Sequence, residues 1–269
     1  MTVLFGVLWG IGGLTFGLSM RYLGVALGQS IALGTCAALG TIMGPVLLNV
    51  FFPELDALST LTAAVVIGVV ATLVGIAIIG VAGAMKSALL SEEEKKAAVK
   101  DFNFPKGIVI ALLAGFMSGC FNVGLEFGKD INFGDLTNPM FHTLPATLLV
   151  TFGGFITNAV YCFYQNGKNH TWGDYKNGGV WANNLLFCAL AGALWYSQFF
   201  GLSLGKGFLT SSPTLMTLSF CILMALNVTF SNVWGIILKE WKGCSSKTIA
   251  VLIAGILVLI VSCFLPQLV

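Results

Sequence analysis

The sequence predicts an all-α membrane protein: eight transmembrane helices drawn from an inverted-repeat bundle of ten. Three observations predict it. The chain of 269 residues is 57% hydrophobic and 9% charged, with a mean hydropathy of +0.93, where soluble domains carry roughly 25% charged residues. Eight apolar stretches are long enough to cross a hydrocarbon core, which takes about 20 helical residues. One apolar signature also occurs twice, with its parts in the same order.

The signature first appears from Gly6 to Gly24, as GVLWGIGGLTFGLSMRYLG. Gly6, Gly10, Gly13 and Gly17 fall on one face of a helix with 3.6 residues per turn. A face without side chains lets another backbone approach closely, as packed membrane helices require. Trp9, Leu14, Phe16, Leu18 and Met20 argue against a glycine-rich loop. The parts return at Gly192-Ala193-Leu194-Trp195 and Phe200-Gly201-Leu202-Ser203-Leu204, offset by 186 and 184 residues. Two blocks at nearly one offset point to an internal duplication.

The spans fall near 2–20, 25–49, 60–84, 107–128, 140–164, 180–204, 212–238 and 247–266. Alternate connections share a side of the membrane. One side collects eleven basic residues: Arg21, Lys86, Lys95, Lys96, Lys100, Lys106, Lys168, Lys176, Lys239, Lys242 and Lys247. The other collects two, Lys129 and Lys206, which read as loop and helix-end charges. The positive-inside rule puts the first side in the cytoplasm, so both termini, including the C-terminus, face outward. The first and sixth spans then cross in opposite directions, and the repeat is inverted. The second span should match the seventh, and the third the eighth. The fourth and fifth have no counterpart before the first. The expected plan is therefore five plus five helices, with the first two lacking here. Residues 1–84 would be the last three helices of the first repeat, 85–106 a cytoplasmic linker, and 107–269 a complete second repeat. In the linker, Ser91-Glu92-Glu93-Glu94 fits a capping box and predicts a short surface helix. The first apolar run has no polar n-region or cleavage site, so no cleavable signal peptide is expected.

The composition argues against an enzyme. There is no metal cluster, no nucleophile with a base at motif spacing and no phosphate loop, so no metal, cofactor or nucleic-acid partner is expected. The seven cysteines show no paired pattern, and six of them read as small buried hydrophobes.

The run from Leu8 to Gly24, LWGIGGLTFGLSMRYLG, resembles the third-helix signature of the L-rhamnose–proton symporter family, within the drug/metabolite transporter superfamily. The resemblance continues through Gly40-Thr41-Ile42-Met43-Gly44-Pro45. It returns at Leu194-Trp195-Tyr196-Ser197-Gln198-Phe199-Phe200 and at Leu238-Lys239-Glu240-Trp241. It implies ten helices in the family plan, an inner (plasma) membrane location, and proton-coupled uptake of L-rhamnose or a related deoxysugar. Its partners would be the sugar, protons and the lipid bilayer, with homo-oligomerisation left open.

A sugar needs hydrogen-bonding groups inside the membrane and an aromatic face for its apolar side. The sixth span supplies Trp195, Tyr196 and Gln198, the first supplies Trp9, the repeat mate of Trp195, and Gln198 is a buried amide in need of partners. Asn122, Asn158 and Asn227 are further candidates, each competing with a role in holding helices together. Asn232 is the remaining spanning amide, and His142 starts the fifth span. Glu126 lies one turn from Asn122 on the same face and is the acidic residue inside a span. An intramembrane acid is a functional candidate by default, here for proton coupling. The competing reading pairs it with Lys129 at the interface. Two other functions fit the same chain: a superfamily transporter of another small solute, and a truncated membrane protein that does not transport.

Overall fold

The computed structural model describes residues 1–23, 25–89, 103–134, 138–176, 178–239 and 241–267. They form eight long helices: α1 (Thr2–Leu23), α2 (Val25–Phe51), α3 (Ala63–Ala88), α4 (Phe104–Phe127), α5 (Leu144–Asn169), α6 (Gly178–Phe208), α7 (Pro213–Ile237) and α8 (Ser246–Phe264). All eight are long and apolar enough to cross a membrane. They coincide with the eight predicted spans to within a few residues. The helix predicted from Ser91 lies outside the described residues.

The helix starts follow local chemistry. Proline opens α4, α5 and α7, where its missing N–H costs nothing. Asn103 caps α4 by accepting from the Lys106 N–H, and Ser245 caps α8 by accepting from the Thr248 N–H.

α1 packs antiparallel against α4. The Phe5 and Phe127 rings lie 5.2 Å apart at one end, and Lys106 Nζ donates to the Tyr22 hydroxyl at 2.9 Å at the other. α5 closes on the second side of α1, where Thr157 Oγ1 donates to the Val7 carbonyl at 2.8 Å. α2 also packs on α4, and their backbones nearly touch: a Cβ on Gly119 would lie 2.9 Å from the Gly40 nitrogen. α3 and α8 form a second antiparallel pair, in which Gly68 faces Pro266, Gly75 faces Leu259 and Gly255 faces Ile79. Thr72 Oγ1 donates to Ser262 Oγ at 3.0 Å inside that pair. α2 and α7 join the two groups.

The glycine face of α1 is used over half its length. A Cβ on Gly6 would collide with the Val150 carbonyl of α5, and one on Gly10 would press on Thr157 and Gly154. Gly13 and Gly17 have nothing within 4 Å, so the expected four-glycine contact is corrected to two. Gly12, outside the pattern, meets Ser118 of α4. The α4 and α5 crossings thus use different sides of α1. The cysteines also divide. Cys36, Cys120 and Cys221 are buried as expected, whereas Cys162 and Cys188 are exposed on α5 and α6.

α6 differs from the rest. Residues 178, 179 and 181–195 are exposed. Its contacts gather in its second half, against the start of α5, α7 and the aromatic core.

Candidate functional site

An aromatic cluster occupies the meeting point of α1, α4, α6 and α7. Trp9 and Trp195 stack with centroids 5.8 Å apart and planes 14° from parallel. Phe121 of α4 lies 5.1 Å from Trp9 and 4.9 Å from Phe199. Tyr196 packs edge-on against Phe199 at 5.6 Å, and Phe220 of α7 completes the group. Such contacts favour offset and edge arrangements because of the ring quadrupole. Trp195 stays 46% exposed, so one side of the stack is open.

The polar candidates separate. Asn122 follows Phe121 on α4 and is buried. Its Nδ2 donates to the Gly40 carbonyl at 2.8 Å, while its Oδ1 meets no hydrogen-bond donor among the described residues. A buried acceptor without a donor is uncommon and marks a place to look for function. Gln198 is half-buried and donates from Nε2 to the Trp195 carbonyl on its own helix at 2.9 Å. Asn158 donates to Gly154 of its own helix, and Asn227 is exposed on α7. Asn232 turns back on Val228 of its own helix at the far end of α7.

Glu126 sits one turn beyond Asn122, on the same face of α4. Its side chain lies on Gly44 of α2, which precedes Pro45: a Cβ on Gly44 would be 2.9 Å from Glu126 Cγ. Its Oε1 faces Lys206 Nζ at 3.5 Å, with the two side chains 25% and 5% exposed. The pairing with Lys129 gives way to this one, and Lys129 is exposed. Lys206 does lie in the last turn of α6, as expected, but it is buried and paired rather than an exposed marker of the membrane boundary. It is buried because the end of α6 presses on the turn before α5, where the Thr143 N–H donates to Ser203 Oγ at 3.3 Å. A Cβ on the neighbouring Gly207 would lie 2.9 Å from the Met140 carbonyl. One signal in the sequence pointed to Lys206: it is one of two basic residues on the side that the charge bias leaves poor in bases. A base that breaks the bias is a candidate partner for a nearby acid.

Two open clefts lie elsewhere. One of about 430 Å³ opens beside Cys162, Phe163, Trp172 and Tyr175, and one of about 450 Å³ lies between α2 and α3. The first also carries Asn166, whose Nδ2 donates to the Tyr175 hydroxyl at 3.1 Å, but no candidate sugar-binding residue lines either of them. The chemistry gathers instead on α4 and α6.

The sequence profile of the L-rhamnose-proton symport protein (RhaT) family matches residues 1–268. The chain belongs to that family. It is similar to the L-rhamnose-proton symporter of Yersinia pestis (strain Pestoides F) and to that of Yersinia pseudotuberculosis serotype O:1b (strain IP 31758). Each is 33% identical over 272 residues, covering 96% of this chain and 75% of the relative. No solved structure matches. Membership in a symporter family and eight apolar helices make this a multi-pass membrane protein of a transporter family, not a member of an enzyme family.

Proposed function

We propose that this protein is a secondary active transporter of the inner membrane that takes up L-rhamnose, or a related deoxysugar, together with protons. The single observation that carries the reading beyond family membership is the Trp9–Trp195 stack on Phe121, next to which Asn122 lies in the chain, with Glu126 one turn further along α4. Deoxysugars combine an apolar ring face with a rim of hydroxyls. A half-open indole pair suits the face, and the Asn122 amide oxygen, Tyr196 and Gln198 suit the hydroxyls. Asn158 and Asn227 would join from α5 and α7 in another conformation. Glu126 would carry the proton.

The same reading takes α1 and α6 as mates of an inverted repeat within a five-plus-five plan, divided at 1–84, 85–106 and 107–269, with the C-terminus outside. The mates support it by their environments: Trp9 meets Trp195, and Ser19 and Ser203 are both fully buried. Alternating access follows from such a plan as rocking of one repeat against the other around a fixed site.

The test is sugar-induced pH change in proteoliposomes. L-rhamnose should alkalinise the outer medium and D-glucose should not. Rhamnose binding without a pH change would remove the proton from the reading. Silence on both counts would move the substrate to another small solute, or make the chain a membrane protein that does not transport.

A further inference from the structure

Lys206 is the residue that neither the family membership nor the sugar reading uses. It is a cation in a membrane-spanning helix and is 4% exposed. A charge in that position is costly unless paired. Its partner is Glu126, itself packed on the bare Gly44. The two charges come from helices that otherwise touch mainly through aromatic rings, Phe121 against Phe199.

We infer that Lys206 is the second member of the proton-coupling site, its ammonium serving as the counter-charge of Glu126 and as the latch that holds the end of α6. The inference rests on the reading of Glu126 as the proton carrier. In the paired state both groups are charged, and the end of α6 is held by the pair, the Thr143–Ser203 hydrogen bond and the Phe141–Phe200 contact at 6.1 Å. A proton from water adds to a Glu126 carboxylate oxygen and leaves a neutral carboxyl. The ammonium then has lost its counter-charge in a poorly hydrated place, and separation of the two helices becomes favourable. When the proton leaves to the water on the opposite side, the carboxylate returns and the pair re-forms. One proton crosses per cycle, and no other bond changes.

α6 is built for this movement. Its first half is exposed throughout, so its position depends on the far end and the aromatic core. The other titratable groups at that end, among the described residues, are Lys129 and Asp130 after α4, His142 before α5, Glu54 and Asp56 after α2, and the Met1 amino group. Lys129, Asp130, Glu54, Asp56 and Met1 are exposed. His142 is half-buried, with Nδ1 3.3 Å from the Pro139 carbonyl.

The experiment uses the full chain in nanodiscs, with the exposed Cys162 and Cys188 changed to serine and Thr143→Cys as reporter. Thr143 is buried, and its backbone N–H, which holds Ser203, survives the substitution. Maleimide labelling is normalised to a Thr210→Cys control at an exposed position. Lys206→Met and Glu126→Gln should each speed labelling about tenfold, and the double variant should be no faster than either. Acidification should speed labelling of the parent and leave Lys206→Met flat. The exchange Glu126→Lys with Lys206→Glu should restore slow labelling, which a misfolded single variant cannot explain. Unchanged labelling in Lys206→Met, or additive effects of the two single variants, would overturn the inference. Labelling needs no sugar, so a failure of the rhamnose reading shows separately, as a silent parent in the proteoliposome assay. Where the parent does transport, Lys206→Met should lose uphill accumulation and keep rhamnose exchange. Equal loss of both would reduce Lys206 to a structural role.

Discussion

α1 and α6 carry the same signature and live in opposite surroundings. α1 is clasped by α4 and α5, with glycines against backbone on two sides. α6 lies open over its first half and is gripped at its far end. One sequence motif thus stands as a closely packed helix in one place and as a half-open one in the other. The motif supplies an apolar helix with a tryptophan and small residues. What that helix does is decided by its neighbours.

Four pairs of substitutions break or sharpen this comparison. The largest effect is expected at the tryptophans. Trp9→Ala removes a ring packed against Phe121 and should cost about 3–5 kcal/mol of stability, whereas Trp195→Ala, at a half-open position, should cost clearly less. Denaturation in detergent gives both values, and both variants should lose rhamnose-driven pH change. Equal stability losses would mean that α6 is as firmly packed as α1. Next come the glycines. Gly6→Ala must push the Val150 carbonyl and should cost about 1–3 kcal/mol, while its mate Gly192→Ala meets open space and should leave the melting temperature unchanged or raised. The buried serines follow. Ser203→Ala removes the acceptor of the Thr143 N–H and should cost about 1 kcal/mol. Ser19→Ala should cost less, since Ser19 Oγ donates to Phe16 of its own helix. The smallest effect is expected at Gly17→Ala and Gly201→Ala, both with nothing within 4 Å. Melting shifts there should stay within about 0.5 kcal/mol, and a large loss at either would reveal a contact that this conformation does not make.

The helices were legible because a membrane span is written locally, in one apolar run of the right length. Trp9 and Trp195 stand out in the sequence through their shared signature, but that their rings stack is seen only in the structure. Asn122 and Glu126 share a face because they are four residues apart on one helix. The rest depends on which helices touch. Gly13 and Gly17 continue the pattern of Gly6 and Gly10, yet only Gly6 and Gly10 meet α5, and the other two have nothing within 4 Å. Cys162 and Cys188 sit in apolar runs and are nevertheless exposed, because an apolar residue in a span is equally at home facing lipid. Lys206 read as a helix-end charge because its burial comes from the turn at Met140 and from Glu126, some 80 residues earlier in the chain.

The hydrogen bond between Thr72 and Ser262 joins residues 190 positions apart in the chain. Its consequence concerns the order of assembly. α3 is made before α8, and the surface it buries against α8, including Gly75 and Ile79, has no occupant until α8 is synthesised. α1, α2 and α4 can settle against one another before then, since their contacts close much shorter loops. A ribosome stalled before Ser246 should therefore hold a chain whose first helices are already paired and whose third still awaits its mate. α8 closes the face of α3 that α2 leaves open.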